Sequence, residues 1–282
     1  MATMSEPRWP HLRGKYIGIL GPIAAGKSTL LKKMETMLAT DRPTDKIIAF
    51  DEFFPEDIFN AYQKDPHLLA ERFQTVMAAF AATRDVWARK FLTDSFFPTG
   101  TMLCERPLLE NKIFFDNNMD AGFIDRLYER TYNCIQQQFK PYAPDVLIYL
   151  NVTQARSIKR MLDRADKDPS RESEKSYNIQ YLRKLGKAYF NFVCLHKKKD
   201  GGPPLLVINW EKQATTDEEY ANQVEALLEN LDAFFAADCP KPLVDEEELV
   251  LDNIAAMDGL VLQRARVARD DRAASDFISI SH

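Results

Sequence analysis

The sequence reads as an α/β protein built on a five-stranded parallel sheet flanked by helices. Short apolar runs alternate along the chain with longer stretches of helical character. A glycine-containing loop also joins the first apolar run to the first helical stretch, the kind of junction where parallel sheets bind ligands. The apolar runs fall at 16–20, 46–50, 101–104, 146–150 and 205–208, each short and continuous enough for a strand covered on both faces. Helices are expected over 27–39, 66–93, 121–139, 153–165, 178–198 and 217–236. Pro144 and Pro203 mark the entries to the fourth and fifth strands, and Gly201-Gly202 loosens the second of these.

The same pattern divides the chain into an N-terminal arm over 1–14, one domain over 15–236 and a tail over 237–282. Cys239-Pro240-Lys241-Pro242 breaks the last helix, and the acidic run 245–248 and the Arg- and Asp-rich stretch 263–272 follow. The tail is expected to be partly helical or disordered, with its charges on a solvated face. A net charge of -5 argues against a surface that coats nucleic acid. The four cysteines form no CxxC pair, so neither a zinc cluster nor a disulfide framework is expected, and reduced thiols suit a cytoplasmic compartment. No apolar run approaches the roughly 20 residues that cross a bilayer. Glu6, Arg8 and Pro10 occupy the place of a secretory signal's apolar stretch; a mitochondrial address is left open.

Gly21-Pro22-Ile23-Ala24-Ala25-Gly26-Lys27-Ser28 fits GxxxxGK[ST] at every required place, between a strand end and a helix start. Glycines let successive N–H groups turn towards phosphate oxygens, and the helix N-terminus adds about half a positive charge. Lys27 then reaches the β and γ phosphates, and the Ser28 hydroxyl is placed for Mg²⁺. Such a loop alone does not separate a kinase from a GTPase or a motor ATPase. The sequence lacks the NKxD signature of guanine binding and a strand ending in DxxG.

The second strand runs into Asp51-Glu52, where a carboxylate at a strand's carboxyl end can accept a proton from an attacking hydroxyl. The third strand ends in Glu105-Arg106-Pro107. Arginines beyond the fourth strand, Arg156, Arg160, Arg164 and Arg171, suit a lid that clamps phosphates, although such a cluster is as often a solvated helix face.

Taken in order, these segments resemble the deoxynucleoside kinase family over about 15–235. Residues 21–29 (GPIAAGKST) look nearly the same as that family's P-loop, which includes Thr29, and Phe73-Gln74-Thr75 is similar to its FQ-containing helix. Glu105-Arg106 matches its (D/E)RS motif with Pro107 in place of Ser. Arg160, Arg164, Arg171, Glu174 and Tyr181-Leu182 follow its lid, lengthened before Arg171.

The resemblance implies a P-loop kinase fold with an arginine lid, ATP as phosphate donor and Mg²⁺ held by Ser28 and Glu105. It implies Glu52 as general base with Asp51 the runner-up, and Arg106 on phosphate and the 5′-hydroxyl region. Tyr62 and Glu174 would hold the sugar, Gln74 would bind the base beside Met77, and Asn209, Trp210 and Glu211 would seat the adenine of ATP. Relatives that prefer cytosine or purines carry an Arg and an Asp where this chain has Ala81 and Asn111, which implies a roomier pocket for pyrimidine or broad-range nucleosides. Family members commonly pair as homodimers; the helix expected at 121–139 is the candidate contact here, and its apolar face suits ordinary core equally. Two rival readings stay open: a thymidylate-type monophosphate kinase, and a kinase-fold scaffold without catalysis.

Overall fold

The computed structural model describes residues 6–52, 55–93, 97–168, 179–197, 202–211, 214 and 216–237. Five strands, β1 (Lys15–Leu20), β2 (Ile47–Phe50), β3 (Thr101–Glu105), β4 (Val146–Asn151) and β5 (Leu205–Asn209), form one sheet in the order β2-β3-β1-β4-β5. Every pairing is parallel; Ile17 lies beside Leu103 on one side and Val146 on the other. β1, β3 and β4 are buried almost throughout, so they read as continuous apolar runs rather than alternating ones.

The helices are α1 (Lys27–Asp41), α2 (Glu56–Lys64), α3 (Pro66–Thr93), α4 (Leu108–Asp120), α5 (Leu127–Phe139), α6 (Gln154–Lys167), α7 (Ile179–Lys197) and α8 (Asp217–Ala236); α2 and α5 pack on α3 and α4. Ile17 and Ile19 of β1 join a core with Leu30, Leu31 and Met34 of α1 and Leu228 and Leu231 of α8. Tyr16 and Leu20, pointing the other way, belong to cores with Ala88 of α3 and with Phe114 and Tyr189 of α4 and α7. Each such buried Leu or Ile contributes about 1.5–3 kcal/mol. The N-terminal segment is tied to this body: Trp9 and Leu12 are buried, and Asp232 accepts from the His11 backbone N–H at 2.7 Å.

Two helices, α2 and α4, were not expected, and α5 starts at Leu127 rather than 121. α4 escapes a periodicity search because Glu110, Asn111, Asn117 and Asn118 are buried alongside Ile113, Phe114 and Phe115. Ala121 caps it, Gly122 turns the chain at φ +75°, and Asp125 Oδ1 accepts the Leu127 N–H at 2.9 Å to begin α5. The tail from 238 on lies outside the described residues. Among the described residues, no helix is long and apolar enough to cross a membrane.

The strand order sets the site. From β1 the chain leaves towards β2, and from β3 it crosses to β4 on the far side of β1. The carboxyl ends of β1 and β3 therefore form the point where connections diverge, the place where open parallel sheets bind ligands.

Candidate active site

The loop after β1 has backbone geometry that demands its glycines. Gly21 sits at φ +154°, and a Cβ there would come within 3.2 Å of the Leu150 carbonyl oxygen; Gly26 sits at φ +99° as the N-cap of α1. Ala24 takes φ +60° and Ala25 is fully buried against Gly21. Lys27, Ser28 and Thr29 form the first turn of α1, at its positive end. The Lys27 ammonium is only 4% exposed and donates to Gly21 O at 2.8 Å and Pro22 O at 3.1 Å. Burial, then the Arg106 charge, lowers its proton affinity from the ordinary lysine value, while Glu110 and Glu105 oppose that. Ser28 Oγ donates to Glu105 Oε2 at 2.7 Å.

At the end of β3, Arg106 adopts φ +53° and its guanidinium pairs with Glu52, 4.5 Å above the Phe114 ring. Burial works against its charge, but Glu52, followed by Tyr189, Glu110 and Glu105, more than compensates, so its affinity for its proton is raised. Asp51 is more exposed than Glu52 and faces Lys32 at 3.8 Å.

These groups open onto one cavity of about 930 Å³, lined by Ala24, Lys27, Ser28, Glu52, Glu105 and Arg106 and also by Tyr62, Gln74, Met77, Asn111, Phe114 and Arg164. Tyr62 stacks on Phe73 at 4.9 Å and donates to Asn118 Oδ1 at 2.7 Å. A smaller chamber of about 300 Å³ shares Glu52, Met77, Arg106 and Asn111 with it and adds Ala81, Arg84 and Trp87. Arg84 donates to the Asp51 carbonyl at 3.2 Å and to the Arg106 carbonyl.

The arginines of the expected lid divide. Arg160 donates to Ala25 O at 3.3 Å and Trp210 O at 3.4 Å, on the flank of the phosphate loop, while Arg164 reaches the main cavity. Arg171 and Glu174 lie outside the described residues. Trp210 packs in the core against Tyr220, near Gly26. Asn209 Oδ1 accepts the Glu211 N–H at 3.1 Å, and the Glu211 carboxylate accepts from the Thr153 N–H at 2.8 Å.

Glu110 was not foreseen. It is fully buried and accepts from the Gly21 N–H at 3.2 Å and from the Tyr189 hydroxyl, linking the phosphate loop to α7. Burial raises its pKa, against Lys27 and Arg106. Its place, four residues after Arg106 in a helix of mixed character, gave no signal in the sequence.

A parallel sheet of this order with a glycine-turned phosphate loop after its first strand is the architecture of the P-loop kinases. The family model for deoxynucleoside kinase matches residues 17–231, and the chain belongs to the deoxynucleoside kinase family. Among solved structures, deoxyadenosine kinase from M. mycoides with bound dCTP is 24% identical, with a TM-score of 0.58, over 77% of this chain and 99% of that one. The same enzyme with the products dCMP and a flexible dCDP gives 24% identity and 0.60, and with bound dATP 23% and 0.58, at the same coverage. These likenesses carry the fold. The curated proteins give no match.

Proposed function

We propose that the protein transfers the γ-phosphate of ATP to the 5′-hydroxyl of a deoxynucleoside, a nucleotide-salvage reaction, accepting pyrimidines or a broader range of bases. The observation that supports this most is the single cavity in which Lys27 and Ser28, the Glu52–Arg106 pair, and the uncharged Gln74, Met77 and Phe114 all take part. Such a cavity offers cationic and hydroxyl groups to phosphates and amide and aromatic groups to a base.

In this reading Glu52 takes or orients the hydroxyl proton; its pairing with Arg106 favours it over the more exposed Asp51. Lys27, Arg106 and the lid arginines Arg160, Arg164 and Arg171 stabilise the charge spread over the transferring group, so positioning and electrostatics carry the rate. Tyr62 and Glu174 hold the sugar, and Asn209, Trp210 and Glu211 border the adenine of ATP. Ser28 Oγ and Glu105 Oε2, 2.7 Å apart, are hard oxygen donors that fit Mg²⁺, an ion that completes its shell with water and phosphate. When bound, that ion supplies positive charge to the phosphate oxygens. The catalytic unit is taken as 15–236, with 1–14 and 237–282 as appendages, and the working form as a homodimer.

Incubation with γ-labelled ATP, the four deoxynucleosides and their 5′-monophosphates tests the proposal. Label on nucleosides supports it. Label on monophosphates alone makes the protein a monophosphate kinase, and label on neither favours the scaffold.

A further inference from the structure

Glu110 is a buried acid that the transfer reaction leaves without a task. It lies in the first turn of α4 and is fully buried. Its Oε1 accepts two donors, the Gly21 N–H at 3.2 Å and the Tyr189 hydroxyl. Its Oε2 is occluded and has no hydrogen-bond partner among the described residues. A carboxylate half-satisfied in the interior is costly, and the positive start of α4 and the Lys27 and Arg106 charges offset part of that cost.

Each partner of Glu110 is held on its far side as well. Tyr189 of α7 is fully buried, edge-on to the Phe114 ring of α4 at 6.0 Å and stacked with Tyr149 of β4 at 6.1 Å. Gly21 opens the phosphate loop, and its carbonyl accepts from the Lys27 ammonium at 2.8 Å. That bond is temporary in a phosphate site, because Lys27 leaves the carbonyl when it turns to the β and γ phosphates. The bond from the Gly21 N–H to Glu110 is untouched by that turn.

We propose that Glu110 is a positioning residue for the phosphate donor: it pins the start of the phosphate loop to Tyr189 of α7, so that the loop keeps its shape once Lys27 has turned to phosphate. This rests on the kinase reading and deepens it. The role needs an acceptor at Oε1 and not a negative charge, so the carboxamide oxygen of a glutamine can serve both donors.

The test is equilibrium binding of ATP with Mg²⁺ and no nucleoside, together with steady-state turnover and melting temperature. The proteins compared are the full chain, Glu110→Met, Glu110→Gln and Tyr189→Phe. Glu110→Met keeps the length of the side chain but leaves the Gly21 N–H unmet. It should raise Kd and KM for ATP about tenfold, with KM for the nucleoside unchanged. Glu110→Gln should bring both ATP constants back to within about threefold of the parent. Tyr189→Phe should weaken ATP binding about threefold in the parent and add nothing to Glu110→Met, since it acts through the same carboxylate.

A purely structural Glu110 would lower the melting temperature and leave the ATP constants alone. That result, or a Glu110→Gln as weak as Glu110→Met, overturns the proposal. Should Glu110→Met not fold, Tyr189→Phe decides, and parental ATP binding in it overturns the proposal too. ATP binding that follows the expected pattern in a protein that phosphorylates no nucleoside keeps the role of Glu110 and defeats the transfer reaction. Nucleoside phosphorylation by the parent with undiminished ATP binding by Glu110→Met does the reverse.

Discussion

Arg106 shows how much of the site rests on single residues. A non-glycine residue in the left-handed region costs about 1–2 kcal/mol, and Arg106 holds φ +53° while pairing with Glu52. Arg84 supports that conformation by donating to the Arg106 carbonyl and, at 3.2 Å, to the Asp51 carbonyl, so one guanidinium joins the ends of β2 and β3. Arg84→Ala should lower turnover by about 10²-fold through misplacement of Arg106 and Glu52. Arg84→Lys should not restore it, since an ammonium lacks the planar fork that spans two carbonyls. Turnover measured beside the melting temperature checks this, and parental turnover in a folded Arg84→Ala refutes it. Residues named from their motifs (Lys27, Ser28, Glu52, Gln74, Glu105 and Arg106) do meet in one cavity. Glu110 escaped notice because its partners Gly21 and Tyr189 lie 89 and 79 residues away, and pattern reading sees only near neighbours.

At the scale of elements, every strand end fell within a residue of its expected place, because buried parallel strands are short apolar runs with sharp edges. α4 was missed because its buried face is partly polar, and its start depends on α3. Asp85 accepts the Leu108 N–H at the head of α4 at 3.1 Å and the Tyr16 hydroxyl at 2.6 Å. Burial outweighs those bonds and the Arg84 charge, raising the Asp85 carboxyl from 3.8 to about 6. An acid whose folded value lies above its unfolded one contributes stability that is full below pH 4 and lost as the pH rises to about 6. Between those limits the parent should lose roughly 3 kcal/mol relative to Asp85→Asn, which has no proton to release. Urea unfolding of both proteins at pH 4, 5, 6 and 7 measures the difference, and parallel profiles contradict it.

For the whole molecule, the strand order converts a linear series of motifs into a site. Because β3 sits between β2 and β1, Glu52, Glu105 and the phosphate loop emerge side by side although they are spread over more than 80 residues. The order of motifs was legible in the sequence and pointed to the family. The convergence on one cavity was not, since it depends on the parallel pairings that set β2 and β1 on either side of β3.

The central claim is that Lys27 and its loop serve phosphate transfer to a nucleoside in this cavity. Its most direct test measures nucleoside 5′-monophosphate formed from ATP by the parent chain and by Lys27→Ala, with melting temperatures taken on both. Product from the parent and a loss of about 10²-fold or more in a variant that melts alongside it is the predicted result. Equal rates of product formation from the two proteins would contradict the account.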